Sequence, residues 1–337
     1  MPLGLTTVDR PHSAPKPVTA GSHRWHSLDV LKGVALWAMI AHHFNKWAGG
    51  EVDGRFIGFE HFLVTDLAAP LFAVALGAAA VVVGSRARAG KGLGGPIRRW
   101  GEILVLGLVI DWATHHLAVE GRGVLPTFAV LGLAITLATA AGLRHPAAWW
   151  AVSAGCVLLA VPATAMRGDG VLDLLINGPF SVVVYGVFAA AGAAVACNGL
   201  GRPERDLPLW RAAGGVLVGG LALYAVGGGA VAPEGIWPPS RYPGHLGFTL
   251  WGLVASLVVW AVVRRLLPPG AIVSEAAARV GHRTLVVFGA HFVVKLALQR
   301  ADLIGELDTR AWGYVIWAAV VAVAVISALP RRRSASS

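Results

Sequence analysis

The sequence predicts an all-α, polytopic integral membrane protein of about ten transmembrane helices, with both termini on the cytoplasmic side. Three observations carry that expectation. Of the 337 residues, 56% are apolar or aromatic and the mean hydropathy is +0.66. Only 14% are charged, against roughly 25% in an ordinary soluble domain, which leaves too little charge to cover a water-facing exterior. Apolar runs of about bilayer-spanning length then recur along the whole chain, separated by segments whose Lys and Arg content alternates. Soluble folds, secreted disulfide scaffolds and disordered chains are excluded.

Taken in order, residues 1–26 are rich in Pro, Ser, Thr and Gly and lack an apolar h-region. They read as a disordered cytoplasmic tail rather than a cleaved signal peptide. A transmembrane domain is expected over 27–330, with spans near 28–47, 65–84, 100–118, 124–142, 147–165, 180–197, 211–231, 246–266, 284–300 and 312–329; a basic tail, 331–337, closes the chain. The run at 180–197 is short and begins just after Pro179. With the amino terminus inside, nineteen of the 28 Lys and Arg fall on the cytoplasmic side and seven on the other (Lys46, Arg55, Arg122, Arg167, Arg241, Arg300 and Arg310), with Lys32 and Lys295 inside spans. One mistaken span would scramble this alternation. No linker divides the domain and no internal repeat is evident, while abundant Gly and Ala permit close helix contact in lipid.

The net charge of +10 and pI of about 10.4 are explained by this inside-positive distribution, so no nucleic-acid partner is expected; membrane lipids are. Cys156 and Cys197 lie inside apolar runs and form no CxxC pair, consistent with small buried hydrophobes. The Ala-, Gly-, Val- and Arg-rich composition has a GC-rich bacterial flavour, which points to a bacterial cytoplasmic membrane.

Ionisable side chains within spans are costly and therefore mark candidate functional sites. The first span carries Lys32 near its cytoplasmic end and His43 eleven residues later, about 16 Å along a helix and close to three full turns, on the same face. A cation at one level and an imidazole deeper suit a ligand with a phosphate end and a reactive end. The ordinary alternative is that Lys32 snorkels to lipid phosphates and His43 bonds a neighbour. Asp66 opens the second span, Asp111, His115 and His116 lie in the outer half of the third, and His291 and Lys295 sit one turn apart in the ninth. A shared cavity accounts for this convergence, although interfacial histidines cost little and His291 fits a packing role equally well. The pairs His42/His43 and His115/His116 diverge by about 100° on a helix. No HExxH, Cys/His cluster or Asp-rich diphosphate motif appears, so no metal is expected. There is also no Gly-x-Ser-x-Gly elbow and no P-loop.

These residues resemble the signature of the membrane-bound acyltransferase-3 superfamily: an Arg, then Leu-Asp-x-x-Arg-Gly-x-Ala, and a histidine eleven residues after the second Arg. The match here is Arg24, Leu28-Asp29-Val30-Leu31-Lys32-Gly33-Val34-Ala35 and His43. Asp66-Leu67-Ala68-Ala69-Pro70-Leu71-Phe72, with Gly77, is similar to a pattern of the heparan-alpha-glucosaminide N-acetyltransferase-like branch. Gly281-His282-Arg283-Thr284-Leu285 with His291 resembles the superfamily's late helix. The family's second Arg is Lys32 here, which keeps the charge and loses the bidentate fork. No histidine of this chain falls in register with the acyl-carrier histidine of the heparan-modifying branch; His61 is near but off register.

The resemblance implies acyl transfer from cytoplasmic acyl-CoA, acetyl-CoA in the first instance, to a hydroxyl or amine of a glycan, lipid-linked sugar or small molecule. His43 would be the base, since imidazole titrates near neutrality, with Asp66 or Asp111 orienting it and His291 as a second polar group at the thioester. Lys32, Arg98, Arg99 and Arg283 would hold the donor's phosphates; for Arg98 and Arg99, plain inside-positive loop charge is the competing reading. Two other classes fit the polar spans: a proton-coupled transporter or flippase, and a membrane-embedded prenyl-chain cyclase whose 13 Trp line an apolar cavity. Broken helices and repeated halves, which mark many transporters, are not evident. Trp47, Trp149 and Trp237 are well placed as interface anchors instead.

Overall fold

A chain this apolar must satisfy its backbone polar groups within each segment, and helices do so. The structure, a computed structural model, describes residues 25–47, 67–116, 123–163, 175, 180–199, 207–227 and 246–291. Side chains are described over 25–40, 67–113, 123–160, 175, 180–199, 209–219 and 249–291. The elements are α1 (His26–Trp47), α2 (Ala68–Arg86), α3 (Gly94–His116), α4 (Leu125–Ala141), α5 (Pro146–Ala163), α6 (Val182–Gly199), α7 (Leu207–Gly227), α8 (Leu246–Leu266) and α9 (Ile272–His282). A further helical stretch, α10, covers 284–291. No strand occurs among the described residues.

Helix ends follow local chemistry. The α2 helix runs on through a π-turn at Ala87–Lys91 and breaks where Gly90 takes φ 96°. Gly142, at φ 118°, ends α4, and Pro146 starts α5, where its missing N–H costs nothing. Ser181 Oγ caps α6 by accepting the amide of Val184 at 3.2 Å.

The first eight expected spans are each helical to within a few residues, and the ninth is helical from 284 to the edge of the described region. The tenth, 312–329, lies outside the described residues. Three described helical segments are long and apolar enough to cross a membrane: Ala68–Lys91, Val182–Gly199 and Thr249–Leu266. Leu125–Ala141 is a shorter apolar helix. Two expectations are corrected. Residues 267–283, read as a plain cytoplasmic connection, contain α9. This helix is too short and too polar to register as a span, and it buries Ser274, Ala276, Ala277, Val280 and Gly281 along one face. The basic stretch around 86–99 is mostly helical rather than a loop, because α2 overruns its apolar segment and α3 begins at Gly94.

Small residues let these helices touch backbone to backbone. A Cβ on Gly77 would fall on the carbonyl of Ala189, and one on Gly192 on the carbonyl of Val74, so α2 and α6 cross at their glycines. Phe72 meets Phe128 with centroids 6.3 Å apart, Gly84 abuts Thr136 and Thr139, and Phe128 meets Tyr185 at 6.0 Å. The two α2–α4 contacts, Phe72 with Phe128 and Gly84 with Thr136 and Thr139, make α2 and α4 run the same way. The opposite run of α3 follows from Gly107 against Pro126 and Trp100 against Gly132. Trp25, at the start of α1, packs on Gly199 at the end of α6. On the outside, Val105, Leu108, Val109, Trp112, Leu158, Leu159, Val218 and Val286 are each more than half exposed, an apolar exterior suited to lipid.

The glycine crossings give a contrast that thermal unfolding of the detergent-solubilised protein can measure. Gly192→Leu is expected to cost about 1–3 kcal/mol or more by overpacking. Gly214→Ala, on α7 with open space around it, is expected to be neutral or to gain up to about 1 kcal/mol of helix propensity.

Candidate functional site

The site begins with a close crossing of α1 and α9. A Cβ on Gly33 would fall on the carbonyl of Ala277, and a Cβ on Gly281 on the carbonyl of Asp29. Both glycines belong to motifs read from the sequence, and their shared reason is this approach. The chain then turns at Arg283, and Thr284 Oγ1 donates to the carbonyl of Gly281 at 2.5 Å. His26 Nε2 lies 2.8 Å from Ser274 Oγ, which itself donates to the carbonyl of Leu267 at 2.8 Å, tying the start of α1 to the first turn of α9.

This crossing brings the α9–α10 junction beside Lys32, where a cavity of about 390 Å³ opens. Its lining combines Lys32, Arg99, Pro96 and His282 with Phe72, Leu76, Ala79 and Val83 of α2, Trp100 and Ile103 of α3, Leu125 and Phe128 of α4, and Leu285 and Phe288 of α10. Trp100 is held by donating Nε1–H to Thr136 Oγ1 at 3.0 Å, with its ring against Gly132. Lys32 Nζ makes a 2.7 Å ion pair with Asp29 Oδ1, one turn earlier on α1. The carboxylate side chain is 8% exposed and the ammonium side chain 24%, so the lysine reaches toward open space from a buried counter-charge.

The α2 wall from Val83 to Phe72 covers eleven residues, about 16 Å. The rise along α1 from Lys32 to position 43 is the same. The backbone of α1 is described there; the side chains of His42 and His43 lie outside the described residues.

Of the other expected site residues, Arg99 lines the cavity. Arg98 points elsewhere, 82% exposed and 3.5 Å from Glu102 on the same helix. Arg283 is the exposed C-cap of α9 and is not among the lining residues. Asp111 Oδ1 accepts the amide of Gly123 at 2.5 Å, joining the end of α3 to the approach to α4. His291 is buried, edge-on to Phe288 at 5.2 Å, behind the cavity wall. Asp66, His61 and Lys295, and the side chains of His115 and His116, lie outside the described residues. Three lining groups escape a sequence reading as site residues: His282, Trp100 and Thr284. His282 and Thr284 sit inside the late motif, where the flanking glycine and arginine draw attention instead; Trp100 reads as one more apolar residue. No group of three or more His, Cys, Asp or Glu that would hold a metal occurs among the described residues.

The Asp29–Lys32 pair carries its own test. Asp29→Ala is expected to lower unfolding free energy by about 1–3 kcal/mol, as loss of a charge-assisted bond at a buried carboxylate does. Asp29→Asn should recover part of that loss in chemical denaturation of the solubilised protein.

With this geometry in place, comparison with known families has a physical counterpart. Residues 24–189 match the family described as heparan-alpha-glucosaminide N-acetyltransferase, catalytic. That span runs from just before α1 to the middle of α6 and includes Lys32, Arg99, Trp100 and the α2 and α4 walls, while the α9–α10 contribution falls beyond it. The match supports the resemblance to the heparan-alpha-glucosaminide N-acetyltransferase-like branch. No curated protein matches the sequence.

Proposed function

We propose that this chain is an integral-membrane acyltransferase that moves an acyl group, acetyl in the first instance, from acyl-CoA to a hydroxyl or amine of a glycan, lipid-linked sugar or small molecule. The observation that carries the reading is the cavity itself. Lys32 and Arg99, from two separate helices, both line it, and its α2 wall extends about 16 Å, equal to the rise between Lys32 and His43. An anionic donor held by these cations would present its thioester toward the first-span histidine. The family match over residues 24–189 supports the same chemistry.

In this reading Lys32 and Arg99 hold donor phosphates, with Arg98 and Arg283 adding to the positive field at the entrance. His43 takes the proton from the acceptor O–H or N–H as the acceptor attacks the thioester carbonyl. The C–S bond then breaks, and the departing CoA thiolate takes up the proton held on His43 and leaves as the thiol. Asp66 and Asp111 are the carboxylates assigned to orient the base, and His291 stands as a polar group behind Phe288. The chemistry needs no metal. The setting is a ten-helix domain with both termini in the cytoplasm of a bacterium, so the cationic mouth faces the soluble donor. The kinship with the broader acyltransferase-3 superfamily rests on the Lys32-to-His43 spacing and the Gly281-to-His291 helix.

Acyl-CoA consumption by the purified, reconstituted protein with a panel of acceptors tests this. His43→Ala is expected to lower turnover about 10²–10⁴-fold; turnover that survives it removes His43 as the base. Lys32→Ala is expected to raise the KM for donor about tenfold or more, with Lys32→Arg within a few-fold of wild type. Arg98→Ala, which is exposed and paired with Glu102, should have a much smaller effect.

A further inference from the structure

One surface of the molecule takes no part in the cavity and has the make-up of a lipid-headgroup site. The α8 helix passes the length and apolarity test for a span and ends in Arg264, Arg265 and Leu266. The chain turns at 267–271, and Ser274 Oγ in the first turn of α9 bonds the carbonyl of Leu267. Beside this turn the apolar side chains Leu266, Ile272 and Val273 are 69%, 49% and 47% exposed. Arg279 and Arg283 continue the exposed side of α9 beyond them. The acidic group of the same helix, Glu275, is engaged locally: its Oε1 accepts the amide of Gly270 at 3.2 Å and lies 3.9 Å from His26 Nε2. Exposed aliphatic side chains next to arginines, at the end of a spanning helix, match the two parts of an anionic phospholipid at its leaflet surface.

We propose that α9 is an interfacial helix whose outer residues Ile272, Val273 and Arg279, together with Arg265 and Leu266 at the end of α8, bind anionic phospholipid of the surrounding leaflet and thereby press α9 onto α1. The coupling is structural. The inner face of α9 carries Ala277 and Gly281, which touch Gly33 and Asp29, and the end of α9 delivers His282 and Thr284 to the cavity. Lipid bound outside therefore stabilises the joint beside Lys32 and the cavity. The inference rests on the membrane-spanning reading of α8 but not on the acyl-transfer reading, and its test uses no enzymatic readout.

The test is reconstitution of the full chain into nanodiscs of phosphatidylcholine alone or with about a third phosphatidylglycerol. Amide hydrogen exchange over 272–283 and the thermal midpoint are followed in both. Phosphatidylglycerol is expected to slow exchange across α9 and raise the midpoint, and both increments should shrink as salt screens the charges. Replacing Arg265 and Arg279 by Gln is expected to remove most of the increment, measured as the difference between the two lipid compositions for the same variant. Retained phosphatidylglycerol, measured by native mass spectrometry, should fall about fivefold per arginine. Arg98→Gln, an exposed basic residue on α3, serves as control and should retain the full increment. Equal exchange in the two lipid compositions, or an increment that persists in the double variant or disappears in the Arg98 control, overturns the proposal. If the double variant fails to fold, Ile272→Ser with Val273→Ser gives the second arm, in which an unchanged phosphatidylglycerol increment overturns it equally.

Discussion

The arrangement depends on two helices approaching closer than side chains normally allow. At the α1–α9 crossing, Gly33 meets the backbone of Ala277 and Gly281 meets the backbone of Asp29. In lipid the hydrophobic effect supplies little preference for one helix face over another, so association relies on dispersion contact and on the shortest attainable separation. A methyl group at either glycine would push the axes apart. That would remove His282 and Thr284 from Lys32 and open the cavity there. The glycine crossing of α2 and α6 does comparable work one layer away, fixing the wall on which Phe72, Leu76 and Ala79 stand.

The cavity joined to this crossing is electrostatically mixed. An ammonium, a guanidinium and an imidazole from α1, α3 and α9 join walls that are aliphatic and aromatic. Low-dielectric walls strengthen the field of the few charges present, which suits capture of an anion from solution. Trp100 shapes the passage because its indole N–H is committed to Thr136, leaving the ring to face the cavity.

Much of this architecture is legible in the sequence, and the legible parts share a physical cause. The spans are readable because an apolar run of bilayer length would strand too much hydrophobic surface in water, and Lys32 stands out because a charge inside such a run is expensive. Gly33 and Gly281 are visible as motif letters, yet their mutual contact is not, since it joins positions 248 residues apart and no periodicity encodes it. The α9 helix escapes notice because eleven amphipathic residues among arginines look like an inside-positive loop. Arg98 and Arg99 are indistinguishable neighbours in the sequence; a 100° step on one helix turns Arg99 to the cavity and Arg98 to Glu102. The contacts of Asp111 with the amide of Gly123 and of His291 with the ring of Phe288 are packing detail that no sequence periodicity encodes.

The lysine at position 32, where the resembling families carry arginine, has a local rationale in Asp29. The carboxylate lies one turn earlier and is nearly buried, and it takes a single 2.7 Å contact from Nζ. An ammonium has three donors, so two remain for the open side of the cavity. A guanidinium at this position would have a planar fork matched to the carboxylate and would tend to pair with it through two parallel bonds. Its remaining donors would then point along the fork rather than into the opening. Lysine thus pairs with a structural anion behind it while its ammonium still lines the cavity in front. Exchange for arginine alters how strongly the ligand is held while leaving the sign of the charge at the cavity mouth intact.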